Sequence, residues 1–102
     1  MTVSMKIDNG SDILLDSFRV SYVVNKTLEK RLDTTPLNTD EWNKIITALD
    51  ALMANNSHTI TLYKDNNLFG TYNNLALLEV TASSSANSTA DYVGYNVGFS
   101  FE

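Results

Sequence analysis

The fold is decided by the stretch Tyr92-Val-Gly-Tyr-Asn-Val-Gly-Phe-Ser-Phe-Glu102. Its apolar residues occupy every second position and are Val93, Tyr95, Val97, Phe99 and Phe101. Small, polar or charged residues fill the positions between them. Alternation with a period of two is typical of a β-strand with one buried face and one face in solvent. We therefore expect a C-terminal strand that belongs to a sheet.

Further strands are predicted on both sides of one helix. Residues 1–7 alternate in the same way, and Asp8-Asn9-Gly10-Ser11 follows them. Asn-Gly is a strong hairpin signal because both residues accept a positive φ. A longer strand-like segment runs from Ile13 to about Lys26. After the helix, strands are predicted at 58–64, 68–72 and 75–82, with turns at 65–67 and 73–74 and a flexible connector at 83–89.

A single amphipathic helix is predicted from about residue 39 to residue 54. Asn38 or Thr39 can cap it, and the acidic Asp40 and Glu41 suit its positive end. Its apolar residues form one stripe and are Trp42, Ile45, Ile46, Leu49, Leu52 and Met53. We expect this stripe to pack on the sheet. The predicted fold class is α+β, a mainly antiparallel β-sheet or sandwich with one packed helix, in a single domain covering residues 1–102.

The segment from Thr27 to Asn38 is polar and contains the only proline, Pro36. A proline fixes its own φ and disfavours helix in the residue before it, so no helix is expected here. The composition indicates an exposed loop or a long hairpin arm. Long loops in small domains often carry function.

Composition excludes several classes of function. The net charge is −5, there is no cysteine, and the seven basic residues are mostly dispersed. Nucleic-acid binding needs clustered Lys and Arg, so no direct nucleic-acid partner is expected. No segment has the length of a membrane span, and Met1–Ile7 lacks the features of a signal peptide, so neither a membrane nor a secretory location is expected.

Residues that could carry chemistry are few. His58, the only histidine, is expected to be solvated at the start of a strand. Asp8, Asp12 and Asp16 recur every fourth residue but lack the order of a calcium loop. A hydrolase that uses two carboxylates would need a pair to meet in space, and no pair is singled out. We therefore expect no catalytic residue, no metal, no cofactor, no small-molecule substrate, and no enzyme.

The layout resembles small structural proteins of tailed bacteriophages or prophages. The resemblance is carried by the long early strand Asp16–Val24, the polar arm Lys26–Asn38, the helix Asp40–Ala54 and the terminal strand Tyr95–Glu102. Many tail components are similar: one helix on a β-sheet, a projecting hairpin or loop, and a last strand with alternating aromatic residues. The chain is shorter than typical tail-tube proteins, which leaves its particular role open.

The resemblance implies a virion or tail-assembly protein that acts by self-association, in the bacterial cytoplasm and then in the virion. Its partners would be copies of itself, as a homo-oligomer or ring, and other phage structural proteins. The candidate subunit contacts are Lys26, Glu29, Lys30, Arg31 and Asp33, unless this segment is only a solvated loop. The alternative is a small acidic phage-encoded binding or inhibitory protein that targets a host protein, since excess acid can imitate phosphate.

Overall fold

The β-strands form one continuous antiparallel sheet that closes on itself. The computed structural model describes residues 2–24, 28–83 and 94–101. The strands in this part of the chain are β1 Val3–Ile7, β2 Ile13–Val24, β3 Leu28–Pro36, β4 His58–Lys64, β5 Asn67–Ser83 and β6 Gly94–Phe101. They pair in the order β1-β2-β3-β6-β5-β4, and β4 pairs with β1 to complete a barrel. The mainly antiparallel α+β character is confirmed, but the sandwich is not.

Two short helices connect β3 to β4, where one helix was predicted. They are α1 Thr39–Thr47 and α2 Leu49–Ala54, and they are separated by Ala48 with φ −91° and ψ 2°. The Asn38 side chain caps α1 by accepting a hydrogen bond of 3.1 Å from the Glu41 amide, as one of the two predicted caps required. The single helix from 39 to 54 is therefore not confirmed.

The core fills the barrel and extends under the helices. It contains Met5, Ile13, Leu15, Leu32, Ile45, Leu52, Ile60, Leu62, Leu75, Val97 and Phe99. The predicted C-terminal strand is present as β6, in which Val97 and Phe99 are buried, but Gly98 between them is buried as well, so one face is not simply in solvent. In the helical stripe, Ile45 and Leu52 are buried, whereas Met53 is exposed.

The expected loop at 27–38 is largely a strand. Residues 28–36 form β3, which pairs with β2 from Val24↔Leu28 to Leu15↔Pro36 and with β6 from Lys30↔Phe101 to Thr34↔Val97. Pro36 is the last residue of β3, a position where the absence of an N–H group does little harm. The alternative expectation, a long hairpin arm, describes this segment correctly.

Two predicted turns differ from the structure. In the first hairpin, the positive φ angles belong to Asp8 (52°) and Asn9 (60°), one residue earlier than the Asn-Gly pair. At Asn73-Asn74 there is no turn: β5 runs from Asn67 to Ser83, pairing first with β4 and then with β6. Asn74, with φ 57°, lies next to the change of partner. The predicted connector at 83–89 lies outside the described residues, except for Ser83.

Candidate functional site

The outer part of the β2–β3 hairpin projects beyond the rest of the barrel. We call its described residues, 19–24 and 28–33, the arm. Its strands pair with each other out to Val24↔Leu28, whereas β3 meets β6 only from Lys30 onward. On the other side, β1 pairs with β2 only over Ile13–Leu15. Within the described residues, the stretch of β2 from Ser17 to Val24 therefore has a strand partner on one side only.

The tip of the arm exposes apolar side chains. Val24 is 80% exposed, Tyr22 59% and Val23 48%. Residues 18, 20, 22 and 24 share one face of β2, because side chains alternate along a strand. That face points into the barrel at its base, where Phe18 and Val20 are partly buried against the core. Toward the tip of the arm, Tyr22 and Val24 on the same face are largely exposed in the described part of the chain.

Aromatic contacts join the arm to neighbouring strands. The Tyr22 ring lies 6.3 Å from that of Phe101 in an edge-to-face arrangement, and Phe101 lies 5.1 Å from Tyr72. Burial, and to a smaller extent the nearby Tyr22, raises the pKa of the Tyr72 hydroxyl. Edge-to-face pairs are favoured by the ring quadrupole, so these contacts give the arm a defined position.

Two further exposed apolar residues lie at the start of β5, next to its turn with β4. Leu68 is 63% exposed and Phe69 49%. The Phe69 ring lies 5.1 Å from Phe18, and the Lys64 ammonium lies 4.5 Å above the Phe69 ring. Such a cation–π contact contributes roughly 0.5–1 kcal/mol at an exposed site. We call the five exposed residues Tyr22, Val23, Val24, Leu68 and Phe69 the apolar end.

On the opposite face of the arm, Arg31 and Asp33 are held by bonds within the chain. Arg31 Nε donates to both carboxylate oxygens of Asp33, at 3.0 and 3.1 Å, and Arg31 Nη2 donates to Glu79 at 3.1 Å. Asn96 Nδ2 also donates to Asp33, at 3.3 Å. The hydrogen bond to Glu79, followed by that to Asp33, raises the pKa of Arg31. This network ties the arm to β5 and β6.

The five sequence-predicted contact residues are thus divided. Arg31 and Asp33 form ion pairs inside one chain, and the side chains of Glu29 and Lys30 form none within the described residues. Lys26 lies outside the described residues. That these residues contact another subunit stays a prediction. The apolar end was missed, although the run Tyr22-Val23-Val24 next to a polar segment was a usable signal.

A groove lies at the other end of β2, between the β1–β2 turn and α1. Its volume is about 500 Å³, and its apolar lining includes Ile7, Ile13 and Ala48. Asp40 and Lys44 stand at its polar rim. Lys44 Nζ is 2.8 Å from Glu41 Oε2 and donates to the Asp12 carbonyl at 3.2 Å. The cation is therefore already neutralised, whereas the exposed Asp40 forms no ion pair within the described residues.

His58 is buried and its ring joins two elements of the fold, so the expectation of a solvated residue is wrong. It is 3% exposed, and its Nδ1 lies 2.7 Å from Asp8 Oδ2. Its Nε2 faces the Leu52 and Asn55 carbonyls at 3.0 and 3.1 Å, and carbonyls only accept, so Nε2 must carry hydrogen. Both ring nitrogens are engaged, which leaves neither available to a substrate. The ring holds the end of α2 to the first hairpin.

The pKa values of this pair follow from those contacts. Burial alone would lower the pKa of His58, but the hydrogen bonds to Asp8 and to the two carbonyls outweigh it and raise that pKa. Burial alone would raise the pKa of Asp8, but the bond of 2.8 Å from the Thr59 amide and the contact with His58 lower it. The pair therefore stabilises the fold as an imidazolium beside a carboxylate.

Comparisons with known proteins do not assign a family. No protein-family model, no curated protein and no solved structure matches the chain. Neither α1 nor α2 is long and apolar enough to cross a membrane, and the described residues contain no other helix. Across residues 2–24, 28–83 and 94–101, no three acidic or histidine side chains are grouped as a metal site requires.

Proposed function

We propose that this chain is a non-enzymatic structural subunit that works by binding other copies of itself, as the resemblance to phage tail components implies. The observation that carries the proposal is the apolar end, at the tip of the arm and at the start of β5. Large exposed apolar side chains that gather on one part of a protein surface are typical of an interaction site.

The backbone of the arm supports the same proposal. An unpaired strand edge offers its N–H and C=O groups to another chain, and proteins that stay monomeric protect such edges with charges, proline or a covering loop. Here the edge from Ser17 to Val24 carries Arg19 near its base but Tyr22, Val23 and Val24 at its tip. A neighbouring copy could gain both main-chain hydrogen bonds and apolar contacts.

The expected strength of one contact is modest. Fully burying a large apolar side chain contributes roughly 1.5–3 kcal/mol, and the five residues of the apolar end are each about half exposed or more. Covering them would therefore contribute about 4–8 kcal/mol. Association itself costs an estimated 4–15 kcal/mol in lost freedom. One contact alone would be weak, so a stable assembly needs additional contacts or the closure of a ring.

Sedimentation velocity over a concentration series tests the proposal. The purified chain is expected to form larger species as its concentration rises, and Val24→Asp is expected to reduce them. Leu78→Asp is the matched control, because Leu78 is an exposed apolar residue of β5 outside the arm. A strict monomer at the highest concentration, alone and mixed with tail proteins, would contradict self-association.

The phage context has its own test. Genes for capsid, portal and tape-measure proteins beside this one would support a tail component, and their absence would oppose it. The alternative, an inhibitory acidic protein, would be favoured if the chain captured a host nuclease or polymerase from a lysate and did not capture tail or head proteins.

A further inference from the structure

The charges of the chain are divided unequally between the arm and the rest. Residues 19–24 and 28–33 contain three basic and two acidic residues, for a net charge of +1. All other residues of the sequence contain four basic and ten acidic ones, for a net charge of −6, and the two parts together give the −5 of the whole chain. The arm is thus the positive part of an otherwise acidic protein. Two arms brought together would repel each other, whereas an arm and the body of a second copy would attract.

The groove beside α1 is the surface of the body that suits the arm. It combines an apolar floor, which includes Ile7 and Ile13, with the carboxylate of Asp40 at its rim, which forms no ion pair with any described residue. Its volume of about 500 Å³ lies within the usual range for sites that bury a ligand's side chains. The tip of the arm offers the complement, which is apolar Tyr22 and Val24 with Lys30 beside them. The Lys30 ammonium forms no ion pair across residues 2–24, 28–83 and 94–101.

The arm cannot reach the groove of its own chain. Ile13 lines the groove and Val24 lies at the tip, and these residues are the two ends of β2. A strand rises about 3.3 Å per residue, so the two ends are about 35 Å apart. A contact between tip and groove is therefore a contact between two molecules.

Resting on the proposed self-association, we infer that the second copy binds head to tail, with the tip of its arm in the groove between the β1–β2 turn and α1. Each molecule then uses its arm on one neighbour and its groove on another. An interface of this kind joins different surfaces of the two copies, so it extends into a ring or a filament and does not stop at a symmetric dimer.

A complementation experiment separates this arrangement from a symmetric one. Val24→Asp damages the arm and leaves the groove intact. Asn43→Arg leaves the arm intact and places a long cation at the groove, which Asn43 lines from the exposed side of α1. Leu78→Asp and Asn56→Arg make the same chemical changes at exposed positions outside both surfaces. Circular dichroism and thermal unfolding establish that each variant is folded.

In sedimentation velocity, each damaged variant alone is expected to associate at least tenfold more weakly than the wild type and the controls. A 1:1 mixture of the two is expected to give pairs of chains and nothing larger, because one intact arm meets one intact groove. Raising the salt concentration should weaken the wild-type assembly.

Other outcomes would overturn the inference. If Asn43→Arg assembles like the wild type, the groove is not the partner of the arm. If the folded variants do not pair in the mixture at concentrations at which the wild type forms pairs through the same single contact, the interface is not head to tail. These results differ from a wild-type chain that is monomeric throughout, which would remove the proposed function itself.

Discussion

Gly98 should be coupled energetically to Arg31, and a substitution to alanine exposes this coupling. Gly98 lies on β6 opposite Asp33, directly beneath the Arg31–Asp33 ion pair. A Cβ atom at this position would lie 2.7 Å from Arg31 Nη2 and 3.0 Å from Asp33 Oδ1. The nearest atom ends a flexible side chain, so the guanidinium would move and lose its hydrogen bond to Glu79. The sheet itself need not move.

The magnitude follows from two opposing effects. Hydrogen bonds between charged groups contribute about 1.5–3 kcal/mol, but the Arg31 and Glu79 side chains are 28% and 46% exposed, so solvent reduces the loss to about 1 kcal/mol. Alanine in a strand is favoured over glycine by roughly 0.5–1 kcal/mol. When Gly98→Ala is made in a chain that retains Arg31, the loss and the gain in the free energy of unfolding nearly cancel. With Arg31 already replaced by alanine, Gly98→Ala should stabilise the fold by about 0.5–1 kcal/mol.

Urea unfolding of a double-mutant cycle measures this coupling. The cycle contains the wild type, Gly98→Ala, Arg31→Ala and the double variant, and the expected coupling is about 1 kcal/mol. Arg19→Ala is the matched control, because Arg19 is 78% exposed and lies 3.9 Å from Asp33, on the periphery of the network. The reasoning is refuted if Gly98→Ala changes stability equally with and without Arg31, or if Arg19 shows the same coupling.

Three further predictions concern the remainder of the fold. The stabilising contribution of His58 should be complete below its ordinary pKa of 6.5 and should be lost as pH rises through its raised pKa. The contribution of Asp8 should be complete above its ordinary pKa of 3.8 and should be lost as pH falls through its lowered pKa. Melting temperature against pH measures both effects, and an unchanged decline above neutral pH in His58→Gln would contradict the first. Glu41→Leu should lower the free energy of unfolding in urea by about 2 kcal/mol, since the Leu14 amide loses its acceptor at 3.1 Å. Glu41→Gln keeps an acceptor and should cost less than half as much. Equal costs for the two variants would contradict this role of Glu41. Trp42→Ala should cost about 2–4 kcal/mol in the same assay, because the Trp42 ring packs on the core and stacks on the Tyr95 ring 4.4 Å away. A cost below about 1 kcal/mol would show that the stack is not formed in solution.

Elements that are determined by neighbouring residues, such as β6 and the N-terminal cap of α1, could be predicted from the sequence. The alternation of residues 92–102 is visible in the sequence itself and predicted the strand β6, in which Val97 and Phe99 are buried. The Asn38 cap is equally local, since its bond reaches three residues along the chain. By contrast, β3 carries three charged residues in succession from Glu29 to Arg31, a pattern typical of a loop. They are accommodated because the arm is exposed and because Glu79, far along the chain, pairs with Arg31.

Features that depend on distant residues could not be predicted. His58 is buried because Asp8, fifty residues earlier, supplies a carboxylate, and nothing near His58 in the sequence indicates this partner. Asn73-Asn74 shows a second limit. Asn accepts a positive φ in a turn and equally in an irregular strand, so the dipeptide alone does not distinguish them. The change of partner from β4 to β6 distinguishes them, and that change is a property of the whole barrel.

Closure of the barrel explains why association would concentrate at the arm. A closed sheet gives each strand two neighbours and so removes the edges at which chains pair. In the described part of the chain, β2 has a strand partner on one side only from Ser17 to Val24, because its pairing with β1 ends at Leu15. Charged residues at the tip of β2 would protect that edge, but the tip carries Tyr22, Val23 and Val24. Arg31 is paired with Glu79 at the base of the arm. An arm that is held by ion pairs at its base and is apolar at its tip would suit insertion into another molecule. In the proposed assembly its net positive charge would favour the acidic body of a second copy over another arm.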